Sequence, residues 1–227
     1  MVTQSELEAL LTTNLKIWQH DTFLSSEQLQ QATNQTGYVT VGLQDALLDT
    51  GVQALSYARL NYFNALFNPL YGKLLLKLHI SSKDNVFAFF GFKKTLDAPA
   101  FDMTESHAGF ILYNGALYFS TGDGAIPSAH QQRTVIQDCD VTRWLVFKVE
   151  ENKGMYYSLP YTVPFFDKDV LPGLKQGIIR KWSPVYQNGA VRPEDVAHYL
   201  VFFIRNSVGA SKQMRLQFIN YSEVYPD

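Results

Sequence analysis

The chain has 227 residues, 46% hydrophobic, 14% aromatic and only 18% charged, against roughly 25% charged residues in an average globular chain. That much apolar material excludes disorder. With 19 Lys plus Arg against 21 Asp plus Glu, the net charge of −2 also excludes a basic surface that would draw nucleic acid without regard to sequence.

The first predicted element is helical. Thr3-Gln4-Ser5-Glu6 has the spacing of a capping box, and Leu7, Leu10, Leu11 and Trp18 follow at helical intervals. We therefore expect residues 1–35 to form an N-terminal helical segment, either a helix or helix-plus-strand packed on its own domain or a helix used for oligomerisation or docking, ahead of a β domain over 36–227. The opening residues show neither a basic n-region nor an apolar h-region, so no secretory signal is expected. No run approaches the ~18 consecutive apolar residues of a membrane span. Residues 25–50, with Gln28, Gln30, Gln31, Gln35 and Gln44, read as a polar connection holding one short strand at 38–41.

From about residue 52 the hydrophobic period becomes two. Strands are predicted at 56–63, 74–80, 86–92, 110–113, 116–120, 133–136, 143–150, 155–159, 199–205 and 215–225. Asn114-Gly115 lies between two aromatic runs, and both residues tolerate positive φ, which predicts a type I′ hairpin. A second hairpin turns at residues 151–154. Strands spaced this way, without βαβ alternation, predict an antiparallel sandwich or barrel. A connection over 160–197 is punctuated by Pro160, Pro164, Pro172, Pro184 and Pro193, with rings between them and room for one short strand at 178–183.

Reactive groups are sparse. The single cysteine, Cys139, excludes an intramolecular disulfide, and its neighbours Asp138 and Asp140 disfavour the thiolate. Those two aspartates are hard oxygen donors in a turn, which makes them candidate ligands of a structural Ca²⁺, weighed against plain capping. His20, His79, His107, His130 and His198 form no i,i+4 pair. There is no phosphate loop, dinucleotide fingerprint or Gly-x-Ser-x-Gly elbow, so no other cofactor is expected.

Four segments in order carry a resemblance. They are Tyr57-Ala58-Arg59 followed by Tyr71-Gly72-Lys73 and its leucine-rich strand; residues 86–92; residues 142–150 turning into 154–159; and the closing strand over 216–225. Together they resemble the concanavalin A-like lectin/glucanase family. This implies an all-β jelly-roll sandwich of two antiparallel sheets over residues 50–227. In the glucanase branch, catalysis uses Glu-x-Asp-x-x-Glu on a bulged strand. Asp102 and Glu105 match its second and third positions, but Ala100 stands where the nucleophile would be, so the resemblance implies a non-catalytic relative.

The functional expectation is a carbohydrate-binding module. Sugar C–H faces pack on rings, and hydroxyls need polar side chains. The expected platform is Trp182, Tyr186, Tyr161 and Trp144, with Arg180, Lys181 and Asn188 as polar contacts. A second expectation is a particle protein, such as the head of a phage tail fibre, which binds surface glycans or other particle proteins and self-associates as a trimer. It would reside in a virion on that plan and in the cytoplasm otherwise. A hydrolase using unassigned carboxylates ranks third.

Overall fold

A computed structural model describes residues 15–21, 29–42, 45–125, 131–137, 139–158, 183, 185–188 and 191–224. Among the described residues there is no helix, and two antiparallel sheets face each other. One is built from β1 (Leu15–Asp21), β3 (Tyr38–Val41), β4 (Ala46–Asp49), β6 (Gly72–Ile80), β11 (Leu145–Glu150), β12 (Lys153–Ser158), β13 (Tyr186–Gln187) and β15 (Gln213–Val224). Its order is β13-β12-β11-β6-β15-β4-β3, and β1 pairs with the far half of β15. The other sheet has seven strands in the order β10-β9-β8-β7-β14-β5-β2. Its members are β2 (Leu29–Thr33), β5 (Tyr57–Tyr62), β7 (Val86–Lys93), β8 (His107–Tyr113), β9 (Ala116–Gly122), β10 (Gln131–Ile136) and β14 (Tyr199–Asn206).

Period-two patterning sets the inward faces. Leu74, Leu76, Leu78 and Ile80 of β6 and Leu145, Phe147 and Val149 of β11 meet Ala88, Phe90 and Phe92 of β7 and Phe110 of β8 in one cluster. Phe147 lies 4.8 Å from both Phe90 and Phe110, so rings from the two sheets interdigitate across the sandwich. Such ring pairs add about 0.5–1.5 kcal/mol each beyond their buried area. The Asn114-Gly115 turn forms as expected, with φ of 48° and 79° and Tyr113 opposite Ala116.

The N-terminal third departs from the sequence-based expectation. Residues 15–21, including Trp18, form a strand rather than a helix; the rest of the predicted helix lies outside the described residues. Leu15 and Ile17 alternate with Lys16, a strand period, and β15 runs past the end of β4, leaving an edge for β1 to complete. The expected polar connection contains β2 and β4 as well as β3. Glutamines suit β2 because it is an edge strand with one side toward solvent, while Ala46 and Leu48 of β4 are core. Residues 15–21 and 29–33 are thus hydrogen-bonded into the two sheets rather than set apart from them.

Candidate functional site

The outer face of the seven-stranded sheet carries the groups of interest, and strand register arranges them in rows. The first row places Tyr113, Phe87, Arg205 and Tyr57 side by side, with Arg205 paired to Phe87 on one flank and to Tyr57 on the other. A second row runs through Tyr118, Ile111, Phe89, Phe203 and Arg59. The third runs through Arg133, Ser120, Gly109, Gly91 and Val201. Gly91 has φ of 151°, and a Cβ there would sit 2.5 Å from the Ala108 carbonyl oxygen, so only glycine fits.

Residues 94–106, between β7 and β8, cross this face as a strap. Leu96, Phe101 and Met103 pack with Phe87, Phe89, Ile111, Val201 and Phe203 into a second apolar cluster, and Met103 is fully covered. Two arginines hold the strap from opposite sides. Arg59 donates to the Leu96 carbonyl. Arg133 donates to the Phe101 carbonyl at 3.1 Å, pairs with Asp102 at 3.0 Å and lies 3.9 Å over the Phe101 ring. Phe101 in turn stacks on Tyr113 at 4.4 Å and meets Tyr118 edge-on.

The base of the strap is a buried polar network. The Lys93 ammonium, wholly enclosed, lies 2.5 Å from the Glu105 carboxylate and donates to Thr95 Oγ1 at 2.8 Å. Burial pushes the Glu105 carboxyl up, but the hydrogen bond and charge of Lys93 outweigh it and hold the group below its ordinary value. His107 Nδ1 lies 2.8 Å from the Glu105 carbonyl and its Nε2 2.8 Å from Ser120 Oγ; burial drives its pKa down to about 4. His198 Nε2 meets Ser106 Oγ at 2.8 Å, and burial lowers its pKa as well. Both Ser–His pairs are sealed from solvent and brace the strap, so neither is placed to attack a substrate.

Beyond the strap the first row keeps Tyr113 and Arg205 partly exposed, while Phe87 is buried. A groove of about 570 Å³ lies at the ends of β7, β8 and β14, walled by Phe87, Tyr113 and Leu55 and edged by Asp84, Asn114 and Arg205. Backbone in the left-handed region converges on it, with Leu55, Asn85 and Asn114 at φ of 64°, 55° and 48°. Asparagine tolerates that region; a leucine there is an outlier of the kind that collects at functional sites. Leu55 is also 59% exposed. The Asp84 carboxylate lies beside Gly115, where a Cβ would sit 3.8 Å from its Oδ1.

Of the residues expected to form the binding platform, the three that are described, Trp144, Tyr186 and Asn188, do not line this groove. Trp182, Tyr161, Arg180 and Lys181 lie outside the described residues. Trp144 immediately precedes β11 of the other sheet, edge-on to His79 at 4.5 Å with the Lys77 ammonium 5.2 Å from its ring. Tyr186 packs against the interior cluster, parallel to Tyr156 at 6.3 Å. Asn188 is a correction: it is buried, accepts from Thr134 Oγ1 at 2.7 Å and donates to the Phe119 and Gln132 carbonyls, tying β9 and β10 to the segment after β13. Its amide is consumed by structure rather than turned to a ligand.

The expected Ca²⁺ donors are described only in part. Asp138 lies outside the described residues, while Asp140 accepts from Thr142 N and Oγ1 at 3.2 and 2.6 Å and pairs with Arg143 at 3.2 Å. Those contacts cap a turn, and among the described residues no three His, Cys, Asp or Glu side chains gather to hold a metal ion. Cys139 packs against the core, and burial together with Asp140 pushes its thiol up to about 12. Within the glucanase-like segment, Ala100 is exposed on the strap, and Asp102 and Glu105 are both occupied by ion pairs.

No family model and no curated protein matches the chain. Solved structures do. A Bacillus licheniformis beta-glucanase superposes with a TM-score of 0.58 at 9% identity, over 90% of this chain and 97% of that one. The exoplasmic/lumenal domain of VIP36, in a Ca²⁺/Man2-bound form, gives 0.57 at 7% identity, over 94% and 91%. A protein of unknown function from Shewanella oneidensis gives 0.57 at 11% identity, over 99% and 95%. The fold is the concanavalin A-like jelly-roll sandwich.

Proposed function

We propose that this chain is a non-catalytic carbohydrate-binding module and that its glycan lies in the groove at the open end of the seven-stranded sheet. One observation carries the reading: apolar walls from Leu55 and Tyr113 stand beside Asp84, Asn114 and Arg205, none of which makes a side-chain hydrogen bond or ion pair with another described residue. A sugar needs that combination, apolar faces for its C–H surface and unspent polar groups for its hydroxyls. The fold is shared with the VIP36 domain solved in a Ca²⁺/Man2-bound form and with a beta-glucanase, which supports the reading. Catalysis is left out because the groove lining includes one carboxylate, Asp84, whereas a retaining glycosidase needs two about 5–5.5 Å apart.

Affinity electrophoresis against a polysaccharide panel tests this. The intact chain should be retarded by at least one member, without releasing reducing ends. Tyr113→Ala should weaken retardation about tenfold or more, on the scale of one lost ring–sugar contact, while Trp144→Ala leaves it unchanged. Retardation by no member, or equal loss in both variants, removes the groove as the site. Reducing-end release would overturn the non-catalytic half.

A further inference from the structure

We infer that the groove selects an acidic glycan, one whose carboxylate or sulfate docks on Arg205. This rests on the glycan reading above and narrows it to a ligand class. The outer face of the seven-stranded sheet carries three arginines that the structure lets us compare. Arg59 is spent on the Leu96 carbonyl, and Arg133 on the Phe101 carbonyl and the Asp102 carboxylate. Arg205 lines the groove, and its one described contact is with the face of Phe87, 5.5 Å from the ring centroid.

A guanidinium resting on a ring presents its N–H edge outward in a plane. That planar fork matches a carboxylate or sulfate with two parallel charge-assisted hydrogen bonds, and an isolated sugar hydroxyl cannot fill it. Leu55, Tyr113 and Arg205 line the same groove, so a pyranose seated there would meet apolar side chains at Leu55 and Tyr113 and set its acidic substituent on the guanidinium. Asp84 does not pair with Arg205, since no ion pair joins them. It edges the groove beside Gly115, at the hairpin, where it can accept from hydroxyls. A groove holding one unneutralised cation and one unneutralised anion sorts ligands by where their charge lies. Neutral sugars leave both charges without a counterpart.

Titration calorimetry on the intact chain tests this with oligomers of galacturonate, mannuronate and glucuronate, each beside its own methyl ester, and with a sulfated oligosaccharide. The ester keeps ring and hydroxyl geometry and removes only the charge. At least one acid should bind tenfold or more tighter than its ester, and the gap should shrink as NaCl rises. Arg205→Gln should erase the gap, and Arg205→Lys should restore part of it; circular dichroism confirms that both variants fold. A sulfated ligand that binds while every uronate fails points to sulfate as the source of the charge. Equal binding of acid and ester overturns the acidic preference and leaves the glycan reading standing. Binding of none of these, together with no retardation on the neutral panel, removes both.

Discussion

The two parts of the seven-stranded sheet's outer face are built from the same side chains yet end in different states. Under the strap, rings and arginine are consumed: Phe101 is sandwiched between Tyr113 and Arg133, and Met103 is fully covered. One row further on, Phe87, Tyr113 and Arg205 line an open groove. Phe87 and Tyr113 belong to both parts; what separates the parts is whether the arginine is spent, Arg59 and Arg133 on the strap against Arg205 in the groove. Met103→Ala is the largest way to break the contrast. Truncating a buried methionine costs about 2–5 kcal/mol, and urea denaturation should show a loss in that range. Groove binding by the folded variant should be retained, because Met103 does not line the groove. A variant that keeps full stability would mean that the strap is not part of the folded core.

Acid should separate the two parts next. His107 titrates near 6.5 when unfolded and at about 4 in the fold. Between those values the unfolded chain takes up a proton that the fold refuses, so stability that is complete above pH 6.5 is lost as pH falls toward 4. The shift corresponds to on the order of 3 kcal/mol. His198 acts in the same direction, and the depressed Glu105 carboxyl adds a further loss once pH falls below its ordinary value of 4.5. Urea midpoints measured from pH 7 to 4 should fall steadily, and His107→Gln should flatten the slope. An unchanged slope in that variant would move the acid sensitivity away from the strap's base.

The sheets were legible in the sequence wherever the period-two signal was strong, as in 74–80, 86–92 and 143–150, and the Asn114-Gly115 turn was legible to the residue. The weak places share a physical cause. Edge strands tolerate polar residues on their solvent side, so glutamines hid β2; β13 is two residues long, too short for any period to register. The groove was hidden for another reason. Phe87, Tyr113 and Arg205 come from three separate strands, and only the pairing of β14 with β7, and of β7 with β8, sets them in one row. Asn114 was visible as a turn residue, but nothing local shows that its turn edges a groove. Of the connection over 160–197, residues 160–182 lie outside the described residues, and Asn188 is the expected polar contact that the structure reassigns. In sequence a buried amide with three partners looks the same as one waiting for a sugar.

The smallest expected effect asks what holds the strap down. The Asp102–Arg133 pair looks like a clamp, but the Asp102 side chain is 73% exposed, and exposed ion pairs contribute about 0.2–1 kcal/mol, less as salt rises. Apolar burial of Met103, Leu96 and Phe101 acts on the same loop without screening. Asp102→Ala should therefore cost no more than about 1 kcal/mol, and the cost should vanish in high salt. Arg133→Ala should cost more, because it also removes the Phe101 carbonyl bond and the cover of that ring. A double-mutant cycle between the two positions isolates the ionic part. If Asp102→Ala alone matched the loss in Met103→Ala, the strap would be an electrostatic latch, and salt alone would be able to lift it from the face.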